Sequence, residues 1–265
     1  MKRKTIYISF AVLVTALIFA TSCKKQLDEP AENRTFTGGT DYSKSSDMIK
    51  PLIGTYSELN KVDNDWVDFP TIALRGDDVN AAGDQNPLIQ TDLYNYDNGF
   101  WNYKDLWEAY YRKIFISHSA MEQIALYKAQ AANAAAADQY TAEAKTLRAW
   151  WLFQLSRVFG GILLPTSSDP TTLFSTPLST KEEVMQHISD QMDEAIPLLP
   201  DMRPNQRTDI PGGVTKYTAL AIKALANLEL KNYQKVADAT ADIIKSQKFT
   251  LESDYYNLFK IPGKL

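Results

Sequence analysis

The sequence predicts a mainly α fold, a superhelix of packed helix pairs of the tetratricopeptide type with long irregular loops. Apolar residues recur every three or four positions in several separate stretches, which is the spacing of one helical face. Two of these stretches, 214–230 and 233–246, are rich in small residues and joined by a short turn, so the two helices can pack closely. The chain has 265 residues, of which 45% are hydrophobic and 23% charged, and this composition is typical of a globular protein.

The amino-terminal segment 1–22 is predicted to be a lipoprotein signal peptide. Basic residues are followed by an apolar run over 6–20, which as a helix would be roughly 22 Å long, too short for a hydrocarbon core of roughly 30 Å. Small residues then precede Cys23, the only cysteine of the chain. A single cysteine cannot close an internal disulfide, so the predicted role of Cys23 is lipidation after cleavage behind Ser22. The alternative is an ordinary signal peptide with an unmodified cysteine.

The segment after the predicted anchor is interpreted as a tether over 23–40, because it is polar and contains glycine. The helical domain then occupies 41–265. Removing residues 1–22 leaves 25 basic against 32 acidic side chains, a formal net charge of −7. An acidic chain repels phosphate backbones, which argues against a nucleic acid partner.

The first helix of the domain is predicted at about 41–60, with Pro51 marking either a kink or a late start. Residues 61–100 show no helical period and contain several glycines and prolines. A connection of this length exceeds what a compact domain needs, and long loops are usually either functional or mobile. The segment 61–100 is therefore the part of the chain most expected to carry function.

Aromatic, carboxylate and amide side chains are mixed along this segment. Aromatic faces stack on the C–H faces of sugar rings, while carboxylates and amides bind sugar hydroxyls. The sequence therefore predicts a carbohydrate site here, with Trp66 as its strongest aromatic candidate. The alternative for each aromatic is that it packs the loop onto the helices. The predicted ligand-binding residues are Trp66, Asn64, Asp65, Asp77, Asp78, Tyr94 and Tyr96.

The second helix is predicted at about 101–127, where Trp107, Tyr111 and Ile114 share one face and are expected in the core. An alanine-rich connection over 129–137 should separate it from the next helix. That helix, at about 138–160, is the most apolar of the chain, with Trp151 at its centre. The glycine pair that begins at Gly160 is predicted to close it.

The next predicted helix begins at about residue 180, where Thr180 and Glu183 form a capping box that marks a helix start. This helix is expected to run over 180–199 and to end at Pro197 and Pro200. The pair at 214–230 and 233–246 follows it. The helices at 101–128 with 138–160, and at 180–199 with 214–230, are separated by longer loops but can stack in the same sense.

The pattern E-A-x-x-L-R-A-x-x-x-F-x-L-x-R-x-F-G, which runs from Glu143 to Gly160, resembles the signature helix of the SusD/RagB family. The opening Cys-Lys-Lys-x-Leu-Asp-x-Pro and the helix containing Trp107 also resemble that family. The chain departs from the family pattern at His118, where asparagine is usual, and at Leu178, where arginine is frequent. The resemblance covers nearly the whole chain.

This resemblance implies a lipoprotein of the Bacteroidetes outer membrane that faces the cell exterior. Such a protein binds glycans or other nutrients and delivers oligosaccharides to a SusC-like TonB-dependent transporter. Members of the family are much longer than this chain, so the carboxy-terminal half is expected to be missing. No cofactor is implied.

Two other classes of function are weighed against this one. A helical-repeat lipoprotein that only scaffolds an envelope complex would need the helices and the anchor but no aromatic loop. A glycoside hydrolase would need a close carboxylate pair within 61–100. The only histidines, His118 and His187, lie in no catalytic motif, and the sequence has no nucleotide-binding or hydrolase motif. We therefore predict no enzyme and no metal site.

Overall fold

The computed structural model describes residues 39–60, 73–95 and 99–259. The predicted signal peptide and most of the predicted tether lie outside these residues. All the elements below belong to one compact unit, residues 42–265. The helices are α1 (Lys50–Ser57), α2 (Asn86–Asp92), α3 (Trp101–Gln130), α4 (Ala137–Phe159), α5 (Lys181–Ala195), α6 (Lys216–Glu229) and α7 (Tyr233–Lys245). Two short strands, β1 (Ile162–Leu163) and β2 (Leu178–Ser179), pair antiparallel.

Each long helix packs against the next one in the chain, from α3 through α7. This sequential packing is what a superhelix of helix pairs requires, and it confirms the predicted fold class. The bounds of α3, α4, α6 and α7 lie within a few residues of those predicted. Gly160 closes α4 with a φ of 76°, a conformation that favours glycine.

The main core is built around α4. Trp151 is 2% exposed and packs in one buried cluster with side chains from the neighbouring helices, among them Leu106 and Ile114 of α3 and Ile188 and Met192 of α5. The apolar face predicted for α4 is therefore buried on more than one side. This burial supplies most of the driving force that holds α3, α4 and α5 together.

The first helix begins later than predicted. Pro51 lies in the first turn of α1, where a missing N–H costs no hydrogen bond. Residues before it form only a 3₁₀ turn, Ser45–Asp47. Pro51 therefore marks a late start of the helix and not a kink within it.

Residues 61–100, which show no helical period and are interpreted as a connection, contain the short helix α2. Pro87 stands in the first turn of this short helix, and Thr91 donates a hydrogen bond to the carbonyl oxygen of Pro87 at 3.0 Å. Thr91 is the one buried residue within α2. A helix of two turns with a single buried side chain leaves no periodic apolar stripe for sequence reasoning to detect.

The capping box of α5 is present as predicted. The backbone N–H of Glu183 donates to the Thr180 hydroxyl at 3.2 Å, and the Glu183 carboxylate accepts from the Thr180 N–H at 2.8 Å. The helix ends at Ala195, four residues before the predicted end at 199. Pro197 has no N–H to continue the α-helical pattern, and the chain turns into the 3₁₀ segment Ile196–Leu198.

A buried ion cluster joins α1, α4 and the segment before α6. The Arg207 guanidinium lies 2.7 Å from the Glu143 carboxylate, and both side chains are at most 1% exposed. Tyr56 donates to Glu143 at 2.5 Å and accepts from the Val214 N–H at 2.8 Å. Arg207 also binds Asp209 and donates to the Val214 carbonyl oxygen. The hydrogen bond with Arg207 lowers the pKa of Asp209 to about 2.

A second buried polar contact joins α3 to α4. The Arg148 guanidinium lies 2.9 Å from the His118 ring nitrogen Nε2, and Arg148 also donates to Gln191 of α5 at 2.7 Å. Arginine has donors only, so the His118 nitrogen that faces it must accept, which requires a neutral imidazole. Burial, and then the charge of Arg148, lower the pKa of His118 from 6.5 to about 4.

We therefore expect folding stability to fall as the pH is lowered from 7 to 5. Over this range the unfolded chain takes up a proton on His118 that the folded chain does not bind, so each step down in pH favours unfolding. The expected loss is about 2 kcal/mol, measured by urea unfolding at the two pH values. His118→Asn keeps an acceptor for Arg148 without a titrating ring, and it should reduce this dependence. Burial and the charge of Arg148 also lower the pKa of His187, so His187 should account for part of what remains. An equal loss in the variant would place the titrating group elsewhere.

Candidate functional site

The described part of the long connection is folded onto α2 and the start of α3. Leu74 is 2% exposed and anchors the 3₁₀ turn Ala73–Arg75, which packs against α2. Tyr94 follows α2 with a φ of 56°, and its hydroxyl donates to the carbonyl oxygen of Arg75. The two ends of the segment 75–94 are therefore held together.

The Arg75 side chain extends this contact to α3. Its Nη2 donates to the Tyr103 hydroxyl at 3.0 Å, and its guanidinium carbon lies 5.5 Å from the centroid of the Tyr103 ring. The Tyr103 ring contacts Phe100 at 5.3 Å between centroids, and Phe100 contacts Trp101 at 6.2 Å. Arg75, Tyr94, Trp101 and Tyr103 thus form one connected group, which we call the loop cluster.

The loop cluster presents aromatic rings to solvent. Tyr94 is 61% exposed and Trp101 is 43% exposed, although large aromatic side chains are usually highly buried. Asp77 and Asp78 are exposed and follow Arg75 closely in the chain. The arrangement offers ring faces for stacking, a guanidinium that donates hydrogen bonds, and carboxylates that accept them. These are the groups that bind the faces and hydroxyls of a sugar ring.

The structure describes three of the predicted ligand-binding residues, Asp77, Asp78 and Tyr94, and all three are exposed. Trp66, Asn64, Asp65 and Tyr96 lie outside the described residues, and their role stays a prediction. Phe100, another aromatic of the long connection, is 9% exposed and packs inward.

Three members of the loop cluster, Arg75, Trp101 and Tyr103, are not among the ligand-binding residues that the sequence predicts. Arg75 has neither a carboxylate nor an aromatic ring, the two groups that mark a carbohydrate site in the sequence, although it stands directly before Gly76 and Asp77. The sequence places Trp101 in the second helix, where an aromatic residue is expected in the core. It is the first residue of α3, and a first residue can face outward more freely than one in the middle of a packed helix.

A cavity of about 340 Å³ lies between α1, α4 and α6, with Trp150 and Ile222 in its wall. The hydroxyl groups that line it already have partners within the protein. Tyr56 binds Glu143, Thr146 donates to the Ala142 carbonyl oxygen, and Thr218 accepts from the Thr215 N–H. The cavity is therefore apolar in character and offers sugar hydroxyls little to bind.

Neither a membrane-spanning helix nor a metal cluster is found in the described ranges. No helix there is long and apolar enough to cross a bilayer. Nor do any three His, Cys, Asp or Glu side chains in these ranges come together as ligands for a metal ion.

The fold and the loop cluster together define the class of the protein. It is an α-superhelical protein of the tetratricopeptide type with an exposed aromatic cluster at the start of α3. Its residues 40–228 match the SusD-like family described as "Starch-binding associating with outer membrane". The chain belongs to the SusD-like family. This confirms the resemblance drawn from the sequence pattern that begins at Glu143 on α4.

Individual relatives agree with this assignment. The chain is 27% identical over 270 residues to SusD-like protein P38 of Formosa agariphila, covering 96% of this chain and 48% of that protein. The solved structure of surface glycan-binding protein A from Bacteroides uniformis is 18% identical with a TM-score of 0.71, covering 83% of this chain and 50% of the other. A laminarin-binding SusD-like protein is 20% identical with a TM-score of 0.60, covering 73% and 42%. The chain spans about half the length of these relatives.

Proposed function

We propose that this protein binds glycans at the cell surface and delivers oligosaccharides to a SusC-like TonB-dependent transporter in the outer membrane. Family membership supports the binding role, since the family is described as starch-binding and associating with the outer membrane. Two of the similar solved structures are named as glycan-binding or laminarin-binding proteins. The single observation on this chain that carries the proposal is the loop cluster, with exposed rings at Tyr94 and Trp101 around Arg75.

Binding at the loop cluster would rest on stacking and hydrogen bonds together. A sugar ring placed on Trp101 or Tyr94 removes water from two apolar faces. The Arg75 backbone and side chain are already fixed by Tyr94 and Tyr103, so little freedom is lost when a ligand binds. Asp77 and Asp78 supply acceptors for hydroxyls, and the predicted Trp66, Asn64, Asp65 and Tyr96 would add to the same site.

Trp101→Ala and Tyr94→Ala are each expected to weaken glycan binding by about tenfold or more, because an aromatic binding anchor contributes about 2 kcal/mol when truncated. The measurement is affinity electrophoresis or calorimetry against soluble polysaccharides, starting with starch and laminarin. Tyr233→Ala is the matched control, since Tyr233 is 65% exposed on α7, far along the chain from the cluster. Unchanged binding by both folded variants would move the site away from the loop cluster and would favour the segment around Trp66.

We further propose that Cys23 carries the lipid anchor and that the protein faces the cell exterior. Buried acyl chains contribute about 0.8 kcal/mol for each CH₂, so several chains on one cysteine hold a protein stably in a membrane. Cys23→Ala is therefore expected to move the protein from the outer-membrane fraction to the soluble fraction with no change in melting temperature. Retention of the variant in the membrane pellet would contradict the anchor.

A further inference from the structure

The acidic charge of the chain is concentrated around the loop cluster. The described ranges 73–95 and 99–108 contain six acidic and two basic side chains, a formal net charge of −4. The whole chain of 265 residues also has a formal net charge of −4, so the remaining residues are neutral in sum. A glycan that approaches the cluster therefore meets a negative potential, although the net charge of the chain is modest.

Three of these carboxylates lie in the segment before α2 and have no cation beside them. Asp77, Asp78 and Asp84 are exposed, and none of them forms an ion pair within the part of the chain that the structure describes. Arg75 is the only basic residue of 73–95, and its Nη2 donates to the Tyr103 hydroxyl at 3.0 Å. The negative charge of this segment is therefore not cancelled locally.

Asp105 places a further charge next to a ring of the proposed site. It follows Trp101 by four residues on α3, a spacing that puts roughly 5–6 Å between two Cβ atoms. Helical side chains lean toward the amino-terminal end, so Asp105 is directed over the turn that begins at Trp101. Asp105 is exposed and forms no ion pair in the described ranges. Lys104 and Glu108, the other charged residues on this face, lie 3.7 Å apart and offset each other.

A pair of carboxylates also stands beside the other exposed ring. The Tyr94 hydroxyl donates to the carbonyl oxygen of Arg75, and Asp77 and Asp78 follow Arg75 by two and three residues. Consecutive Cα atoms are about 3.8 Å apart, so the Cα of Asp77 lies at most about 8 Å from that of Arg75. This is about the Debye length at physiological ionic strength. Both exposed rings of the loop cluster therefore have uncompensated carboxylates nearby.

We propose that the loop cluster selects uncharged glycans, and that Asp105 is a residue that excludes polysaccharides bearing carboxylate or sulfate groups. This inference rests on the proposed function, since it names the class of glycan that the cluster binds. Two like charges about 4 Å apart in water lower an affinity about fivefold. An anionic sugar stacked on Trp101 would meet this repulsion from Asp105, whereas an uncharged sugar would not.

The test uses the full chain and matched polymers. The wild-type protein is titrated with uncharged polysaccharides, starch and laminarin first, and with the anionic polymers alginate and polygalacturonate. Each uncharged polymer that binds is then compared with its lightly carboxymethylated derivative, at about 10 mM salt and at about 1 M salt, where the Debye lengths are about 30 Å and 3 Å. All solutions contain a chelator, because a divalent cation can bridge two carboxylates.

Asp105→Asn and Asp105→Lys are measured beside the wild type. The matched control is Asp242→Asn, since Asp242 is also an exposed helical aspartate but lies on α7. At low salt the wild type should bind the carboxymethylated polymer about fivefold or more weakly than the parent polymer, and at high salt nearly as well. Asp105→Asn should recover about threefold to fivefold of that loss, Asp105→Lys more and Asp242→Asn none. Affinity for the uncharged polymer should stay the same in all three variants.

Three outcomes would overturn this inference and leave glycan binding standing. The first is equal affinity of the wild type for both members of a polymer pair at low salt. The second is binding to anionic polysaccharides alone. The third is a change in Asp105→Asn that is the same for the charged and the uncharged polymer, since a purely structural role would produce that result. Absence of binding to every polysaccharide of either kind would overturn the proposed function as well. Melting temperatures establish that each variant is folded.

Discussion

Arg207→Ala is expected to lower the free energy of unfolding by about 3–5 kcal/mol, because it leaves the buried Glu143 carboxylate without its cation. Burial makes such a charge costly, and Glu143 is 0% exposed. The variant also removes the donor to the Val214 carbonyl oxygen and the partner of Asp209. The measurement is equilibrium urea unfolding at pH 7.

Lys128→Ala is the matched control for this variant. Lys128 lies 2.6 Å from Asp138, about as close as Arg207 lies to Glu143. The side chains of Lys128 and Asp138 are, however, both more than half exposed. An exposed ion pair contributes about 0–1 kcal/mol, so the control should change stability little. Similar losses of unfolding free energy in the two variants would show that burial does not explain the contribution of the Arg207–Glu143 pair to stability.

Trp151→Ala is expected to cost about 3–5 kcal/mol, a large share of the stability of a typical domain. The side chain is 2% exposed and lies where α3, α4 and α5 meet, so its removal leaves a cavity that rigid neighbours cannot fill. The measurement is again urea unfolding, with the melting temperature as a second readout.

Trp150 supplies a control from the same helix and the same residue type. It is half-buried, stacks on Phe153 at 5.9 Å between ring centroids and lines the open cavity beside α6. Since part of its surface is already in water, Trp150→Ala should cost about 1–2 kcal/mol. If Trp150→Ala lowered the free energy of unfolding as much as Trp151→Ala, Trp151 would not be the centre of the core.

The long helices were predictable because their buried side chains are apolar and recur every three or four residues in the sequence. Trp151, Leu155 and their neighbours mark the buried face of α4, and the Thr180–Glu183 pair marks the start of α5. These signals act within a few residues. They can therefore be recognised without knowing which helix packs against which.

The parts that sequence reasoning missed depend on contacts between distant residues. Nothing near Glu143 indicates that its cation is Arg207, and nothing near Arg75 indicates Tyr103. The short helix α2 is held by its surroundings and has no apolar face of its own. The loop cluster could therefore be located only as a region, through its mixture of aromatic and carboxylate residues, and its arginine emerged from the structure.

The contact between Tyr56 and Val214 joins residues that are 158 positions apart in the chain. Closing so long a loop has a high entropic cost until the intervening helices have assembled, so the ion cluster around Glu143 should form after the transition state of folding. Interactions that form late govern how fast a protein unfolds and have little influence on how fast it folds. The loss in Arg207→Ala should then appear in the unfolding rate constant in stopped-flow experiments, with refolding nearly unchanged. The cluster would set the lifetime of the folded state.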